Sequence, residues 1–377
     1  MAQGLQQVKT EPPAPGSIMA NLTRLNVKWF VLPGLVALGA ASLVLAQPGP
    51  AKPTTMAGSR DTACWSLAFS SDGQRLAGGF DDGSARVWEA KTGKEIRTFR
   101  LEKSWCRGVA FNADGTVLAT AAAGTPILAK KPGRIVLWDL KSGKALRTLE
   151  GGEAGGVAFS PDGRFLVGTA SGKPPALKMW DTATGKTMRT LEESGLDGPV
   201  GVPVAFNPDG KTIVGAGRYG KVKIWEASSG KVLHTLAANA SPVAFSKDGK
   251  RLVAGSLMLV WKVATAKKLL AIKQSHVKGD VGVAFSPDGK RLISAGNRPH
   301  SAGLLSLLEP WPPDNDGEVT VWDAEKGTKV RSFTTDVAGL WTAAVSPDGN
   351  WIAVSPRGGN RPVRMWAVNA ARELRTR

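Results

Sequence analysis

Val157-Ala-Phe159-Ser160-Pro-Asp162-Gly163 leads into Phe165-Leu-Val-Gly-Thr169, then Leu177-Lys-Met-Trp180 and, after Thr184-Gly185-Lys186, Met188-Arg-Thr-Leu191. This stretch reads as four strands. Ser-Pro-Asp-Gly is a type I turn with glycine at the left-handed position. Leu177 to Trp180 alternates apolar and basic residues, the period of a strand with one buried face. Four short strands make one sheet that cannot bury both faces alone, so a second such sheet must pack on each side.

The rest of the chain supplies those sheets. Asp-Gly recurs at Asp72, Asp114, Asp162, Asp209, Asp248, Asp288 and Asp348. A tryptophan follows each at Trp88, Trp138, Trp180, Trp225, Trp261, Trp322 and Trp366. Two landmarks alternating seven times over residues 61–377 give about 45 residues per unit, the length of a four-stranded blade. Seven such units arranged round an axis bury a continuous core and leave only short edges. The seven tryptophans are expected to wedge between neighbouring blades as structural residues.

These motifs resemble the WD40 family. Trp-Asp itself stands at Trp138-Asp139, Trp180-Asp181 and Trp322-Asp323; elsewhere the second residue is Glu89, Glu226, Lys262 or Ala367. The family's Gly-His pair is missing from every unit, and only His276 lies near such a place. The resemblance therefore implies the fold and the tryptophan packing, without the family's full Asp-His-Ser/Thr-Trp hydrogen-bond network. It implies an all-β, seven-bladed WD40-type propeller of four-stranded antiparallel blades that displays loops to protein partners. Residues 371–377 repeat the fourth-strand pattern of Glu95-Ile-Arg-Thr-Phe99 and are expected to complete the last blade, the rival being Thr54-Thr-Met56.

Composition narrows the role. The chain has 377 residues, 45 Gly, 24 Pro, 2 Cys, 3 His and 13 Trp against a single Tyr, with a net charge of +18. Two Cys cannot make a four-cysteine zinc site, and three His leave little room for a histidine-based centre. Residues 1–46 read as a polar leader followed by a signal peptide or an uncleaved membrane anchor. Arg24 and Lys28 precede the apolar run 29–46, which ends in small residues at Val44-Leu-Ala46. That run sits at the short edge for spanning a bilayer, so it is a possible tether. Met19 is an alternative start. Residues 47–60 read as a Pro-rich linker, and 61–377 as the propeller. The expected location is outside the cytoplasm, periplasmic or extracellular, or membrane-anchored if the segment stays attached.

The units differ from one another in one way. The Asp-to-Trp spacing is 16 residues in the first and fourth units, 24 in the second and 34 in the sixth. The insertions 121–134, 171–176, 191–203, 297–316 and 355–362 fall in second-to-third or fourth-to-first connections, and so on one rim. Variable loops on a rigid scaffold mark a partner face; drift in surface loops is the alternative. The sixth insertion carries Leu304, Leu305, Leu307, Leu308 and Trp311, candidate partner anchors or a small helix capping its own blade. Asp314-Asn-Asp-Gly-Glu318 reads as a turn, since it lacks the alternate ligands of a calcium loop. Arg75, Arg164, Lys211, Lys250, Arg251, Lys290 and Arg291 put positive charge on the opposite, invariant face, either to attract polyanions or to keep the surface solvated. No aromatic interleaving supports nucleic-acid binding. Cys64 and Cys106 stand at matching places in adjacent units and read as buried free thiols, with a disulfide as the alternative.

The expectation is a non-catalytic, monomeric scaffold that binds protein partners, without cofactor or metal. The alternative is a propeller enzyme, a lactonase-like hydrolase or quinone-dependent dehydrogenase, with its site at the axial channel. The inner-strand starts read as Ala63, Gly108, Gly155, Val202 and Val281, poor material for such chemistry.

Overall fold

The structure is a computed structural model. It describes residues 53–59, 61–101, 104–123, 133–149, 152–170, 176–191, 203–216, 221–238, 242–255, 257–272, 280–297, 316–356 and 361–368. All of them belong to the second of two units, Gln47–Arg377. The signal or anchor helix expected in residues 1–46 and the C-terminal residues 371–377 lie outside the described residues.

Seven four-stranded antiparallel sheets make up the fold. In the first blade the strands run Cys64–Phe69, Arg75–Phe80, Ser84–Glu89 and Glu95–Arg100, from the inside outward. Five further blades repeat this order with consecutive strands. The Asp-Gly turns behave as the sequence implies. Gly163 has φ 72°, a conformation that costs a residue with a Cβ, so the turn demands glycine there. Ser160 locks that turn: its hydroxyl donates to Asp162 Oδ1 at 2.5 Å and accepts from Phe165 N–H at 2.9 Å. Ser70, Ser246, Ser286 and Ser346 repeat the device.

The seventh blade corrects the expected closure. Leu340–Val345, Trp351–Pro356 and Arg364–Ala367 supply three strands, and the fourth is Thr54–Thr55, not the C-terminus. Thr54 pairs with Met365 and Thr55 with Arg364, antiparallel. Met56 N–H then donates to Val363 O at 3.0 Å. A strand edge offers one row of donors and acceptors, and here the N-terminal segment occupies it. The segment read as linker through residue 60 is thus structural from Thr54 onward. Met56 is buried between the last and first blades, and Ala57 O accepts from Trp88 Nε1 at 2.8 Å. Ser59 Oγ accepts from Val363 N–H at 3.0 Å. One short segment therefore touches both sides of the ring's seam.

Apolar packing falls into seven clusters, each of which joins two neighbouring blades around one landmark tryptophan. Trp225 of the fourth blade packs with Val167, Leu177 and Met179 of the third. Trp366 of the seventh packs with Val319 and Val321 of the sixth, and Trp88 of the first with Met365 of the seventh. Six of the seven are buried, and Trp138 is half-buried against Phe99 with ring centroids 5.1 Å apart.

The indole lies against the strand-two residue two places beyond the tryptophan's ladder partner. Where Thr120 or Ser294 stands there, the indole Nε1 of Trp138 or Trp322 donates to the hydroxyl at 2.8 or 3.0 Å. Where Gly78 stands there, the six-membered ring of Trp88 comes so close that a Cβ would lie 3.0 Å from it. The Ser/Thr-to-indole link of the network thus survives in these two blades without the histidine.

Candidate functional site

In an antiparallel blade of four consecutive strands, the second-to-third and fourth-to-first connections leave from the same end. The strand ends that flank all five insertions therefore lie on one face. At that face the inner strands carry a local irregularity. In the first blade Cys64 faces Phe80, but Ser66 faces Gly79, so Trp65 is an extra residue in the ladder. The second blade skips between Cys106 and Gly108, and the seventh between Leu340 and Thr342. The extra residues are Arg107 and Trp341. A bulge re-aims the side chain of its unpaired residue. Three adjacent blades, the seventh, first and second, thus each redirect one large side chain at the same level of the inner strand.

These three side chains and Trp105, at the start of the second blade's inner strand, form one contact group. Trp65 and Trp105 stack with centroids 5.9 Å apart and planes 12° from parallel. Trp341 meets Trp65 edge-on at 5.2 Å and 87°. The Arg107 guanidinium carbon lies 4.8 Å from the centroids of both Trp65 and Trp105. Aromatic pairs contribute about 0.5–1.5 kcal/mol each beyond area burial, and a cation on a ring face about 0.5–2 kcal/mol. These contacts favour the packed arrangement of the four side chains.

Trp105 and Trp341 are 37% and 38% exposed, unusual for such large apolar side chains. Arg107 is half-buried, and burial pulls its guanidinium below the ordinary value for arginine, although arginine stays charged at neutral pH. Among the described residues, Arg107 Nε, Trp65 Nε1 and Thr62 Oγ1 are buried with no hydrogen-bond partner.

The base of the sixth insertion adjoins this group. Asn297, the last described residue before it, donates from Nδ2 to Leu340 O at 3.2 Å and accepts from Leu340 N–H at 2.6 Å. Leu340 is the residue before Trp341. The anchors named from the sequence, Leu304, Leu305, Leu307, Leu308 and Trp311, lie outside the described residues. Of the acidic turn, Glu318 is a strand residue whose carboxylate pairs with Lys329 Nζ at 2.9 Å.

Sequence reasoning missed the aromatic group because it took Ala63 and Gly108 as the starts of their inner strands. The strands begin at Cys64 and Trp105, and a break in each ladder leaves Trp65 and Arg107 unpaired. A signal was present: Trp65, Trp105 and Trp341 are tryptophans outside the repeated landmark, each at the start of an inner strand.

The opposite face is less free than its charge implied. Arg75 Nη1 donates to Gly115 O at 2.6 Å and Arg251 Nη2 to Gly289 O at 2.5 Å, each on the next blade. Arg97, Arg147 and Arg189 do the same at the third-to-fourth turns, reaching Lys141 O, Thr184 O and Ser229 O. These arginines staple blades together. Cys64 and Cys106 are free and buried, and burial pushes the Cys64 thiol up to about 12.

Comparison with known proteins agrees with this architecture. The WD domain, G-beta repeat family matches residues 52–89, 204–226 and 267–323. Those three segments match WD40 repeats. An uncharacterized WD repeat-containing protein of Synechocystis is 43% identical over 58 residues, 14% of this chain and 17% of that protein. A WD repeat-containing protein of Schistosoma mansoni is 28% identical over 188 residues, 48% of this chain and 58% of that one. The chain spans less than two thirds of the length of these curated relatives. WD40 propellers generally bind protein partners and are generally non-enzymatic.

Proposed function

We propose that this WD40 propeller is a non-catalytic, monomeric scaffold that binds protein partners through the face bearing the loop insertions. The observation that carries the reading is that Trp105 and Trp341, each more than a third exposed, both pack on Trp65 beside the inner-strand ladder breaks at that face. Exposed tryptophan and arginine on a rigid support are the residue types that dominate protein interfaces. The strand ends that flank the five insertions open on the same face, and Asn297, at the start of the longest, pairs with Leu340 beside Trp341.

The test compares protein capture by the wild-type chain, Trp341→Ala, Trp105→Ala and a deletion of 302–313. The reading expects one partner set retained by the wild type and depleted by all three changes. Capture that none of them alters, or turnover of lactones or alcohols by the purified chain, contradicts it. Display outside the cytoplasm belongs to the same proposal and rests on the basic-then-apolar segment 24–46. Mass spectrometry of the mature N-terminus after cell fractionation checks it, and a chain starting at Met1 or Met19 in the cytosolic fraction refutes it.

A further inference from the structure

We propose that the Arg107–tryptophan group receives a carboxylate presented beside an aromatic or proline ring on a segment of the protein partner. The inference rests on the partner-face reading above and adds the chemistry of what enters. An aromatic surface commonly attracts cations, but here the faces of Trp65 and Trp105 are covered by the chain's own guanidinium, 4.8 Å from both. An incoming ammonium or guanidinium group would meet like charge there.

An anion meets the opposite situation. Arg107 has no ion pair and no hydrogen-bond acceptor among the described residues, and its Nε is buried. A guanidinium presents its N–H groups in a planar fork that matches the two oxygens of a carboxylate. Contact with two indoles already holds that fork, so little side-chain freedom is lost on binding. Beside the fork, Trp105 and Trp341 keep more than a third of their surfaces open, enough to stack a flat ring carried next to the acid. The net charge of +18 attracts any acid at long range. Specificity must therefore appear as dependence on Arg107 itself, one charge among many.

The experiment pans a displayed random-peptide library on the full-length wild-type chain. Enriched peptides are then resynthesised for fluorescence anisotropy against wild type, Arg107→Gln, Arg107→Lys and Trp341→Ala, with folding of each variant checked by circular dichroism. Enriched peptides are expected to carry Asp, Glu or a free C-terminal carboxylate next to an aromatic residue or proline. Arg107→Gln, or amidation of that acid in the peptide, weakens binding at least about tenfold, and the two changes together cost little more than either alone. Arg107→Lys recovers part of the loss.

Peptides without an acid, acidic peptides indifferent to Arg107, or no enrichment at all overturn the proposal. Binding indifferent to Arg107 but lost in Trp341→Ala overturns the carboxylate assignment and leaves the partner face standing. Indifference to both sinks the partner face as well. Arg107-dependent binding of oligogalacturonate, with no peptide enriched, makes the ligand an acidic sugar and also overturns the proposal.

Discussion

Trp88 and Trp180 hold the same place in their blades and are both fully buried, yet replacing each with phenylalanine is expected to have different consequences. Both substitutions remove the same atoms from a packed interface, at a shared cost on the order of 1–2 kcal/mol. The indole N–H then separates them. Trp88 Nε1 donates to Ala57 O at 2.8 Å and so pins the segment that closes the ring. Its loss adds about 1 kcal/mol, the net value of an ordinary hydrogen bond. Trp180 Nε1 is buried without an acceptor among the described residues. Removing it relieves a penalty of about 1–3 kcal/mol. Trp88→Phe should therefore destabilise the propeller by about 2 kcal/mol or more beyond Trp180→Phe. Urea unfolding followed by circular dichroism, used where each variant shows one transition, measures the difference. Equal costs, or a greater cost at Trp180, would refute the hydrogen-bond assignment at the seam.

Other consequences are open to simple assays. Thr55→Pro places a ring against the Arg364–Ala367 edge, and together with deletion of 47–53 it should speed hydrogen exchange in the seventh blade; deletion of 371–377 should leave that blade's exchange unchanged. The turn carboxylates Asp72, Asp162, Asp248 and Asp288 are held below the ordinary value of 3.8, chiefly by the serine hydroxyls that donate to them. A depressed folded-state pKa means stability that is present above 3.8 and lost as pH falls through and below it. Denaturation midpoints should accordingly drop below about pH 4, and less steeply in Ser70→Ala plus Ser246→Ala. Cys64 and Cys106 should resist iodoacetamide at pH 8 in the folded chain and react on unfolding, because burial disfavours both thiolates; labelling of the native protein, or an oxidised pair by mass spectrometry, contradicts this.

The ring was readable because its determinants are local and repeated. Ser160-Pro-Asp-Gly163 specifies a turn within four residues, and in every unit a landmark tryptophan follows that turn before the next Asp-Gly begins. Closure was less legible. Thr54-Thr55 is a two-residue strand in a Pro-rich stretch, and its partner Arg364–Ala367 lies at the other end of the chain, so no nearby pattern announces the pairing. The site failed to show for a different reason. Strand periodicity assumes an unbroken ladder, and a single added residue breaks the alternation that assigns side chains to the two faces of a sheet. Trp65, Arg107 and Trp341 sit at three such breaks. Their convergence depends on the seventh, first and second blades being neighbours, which only the closed ring establishes.

A high-resolution crystal structure of residues 47–377 tests the central claim most directly. It should show Thr54–Thr55 hydrogen-bonded to Arg364–Ala367, with Trp65, Arg107 and Trp341 bulged from three adjacent inner strands and Arg107 lying across Trp65 and Trp105. Regular inner strands that turn these side chains into the blades, or a ring with another number of blades, would contradict the account.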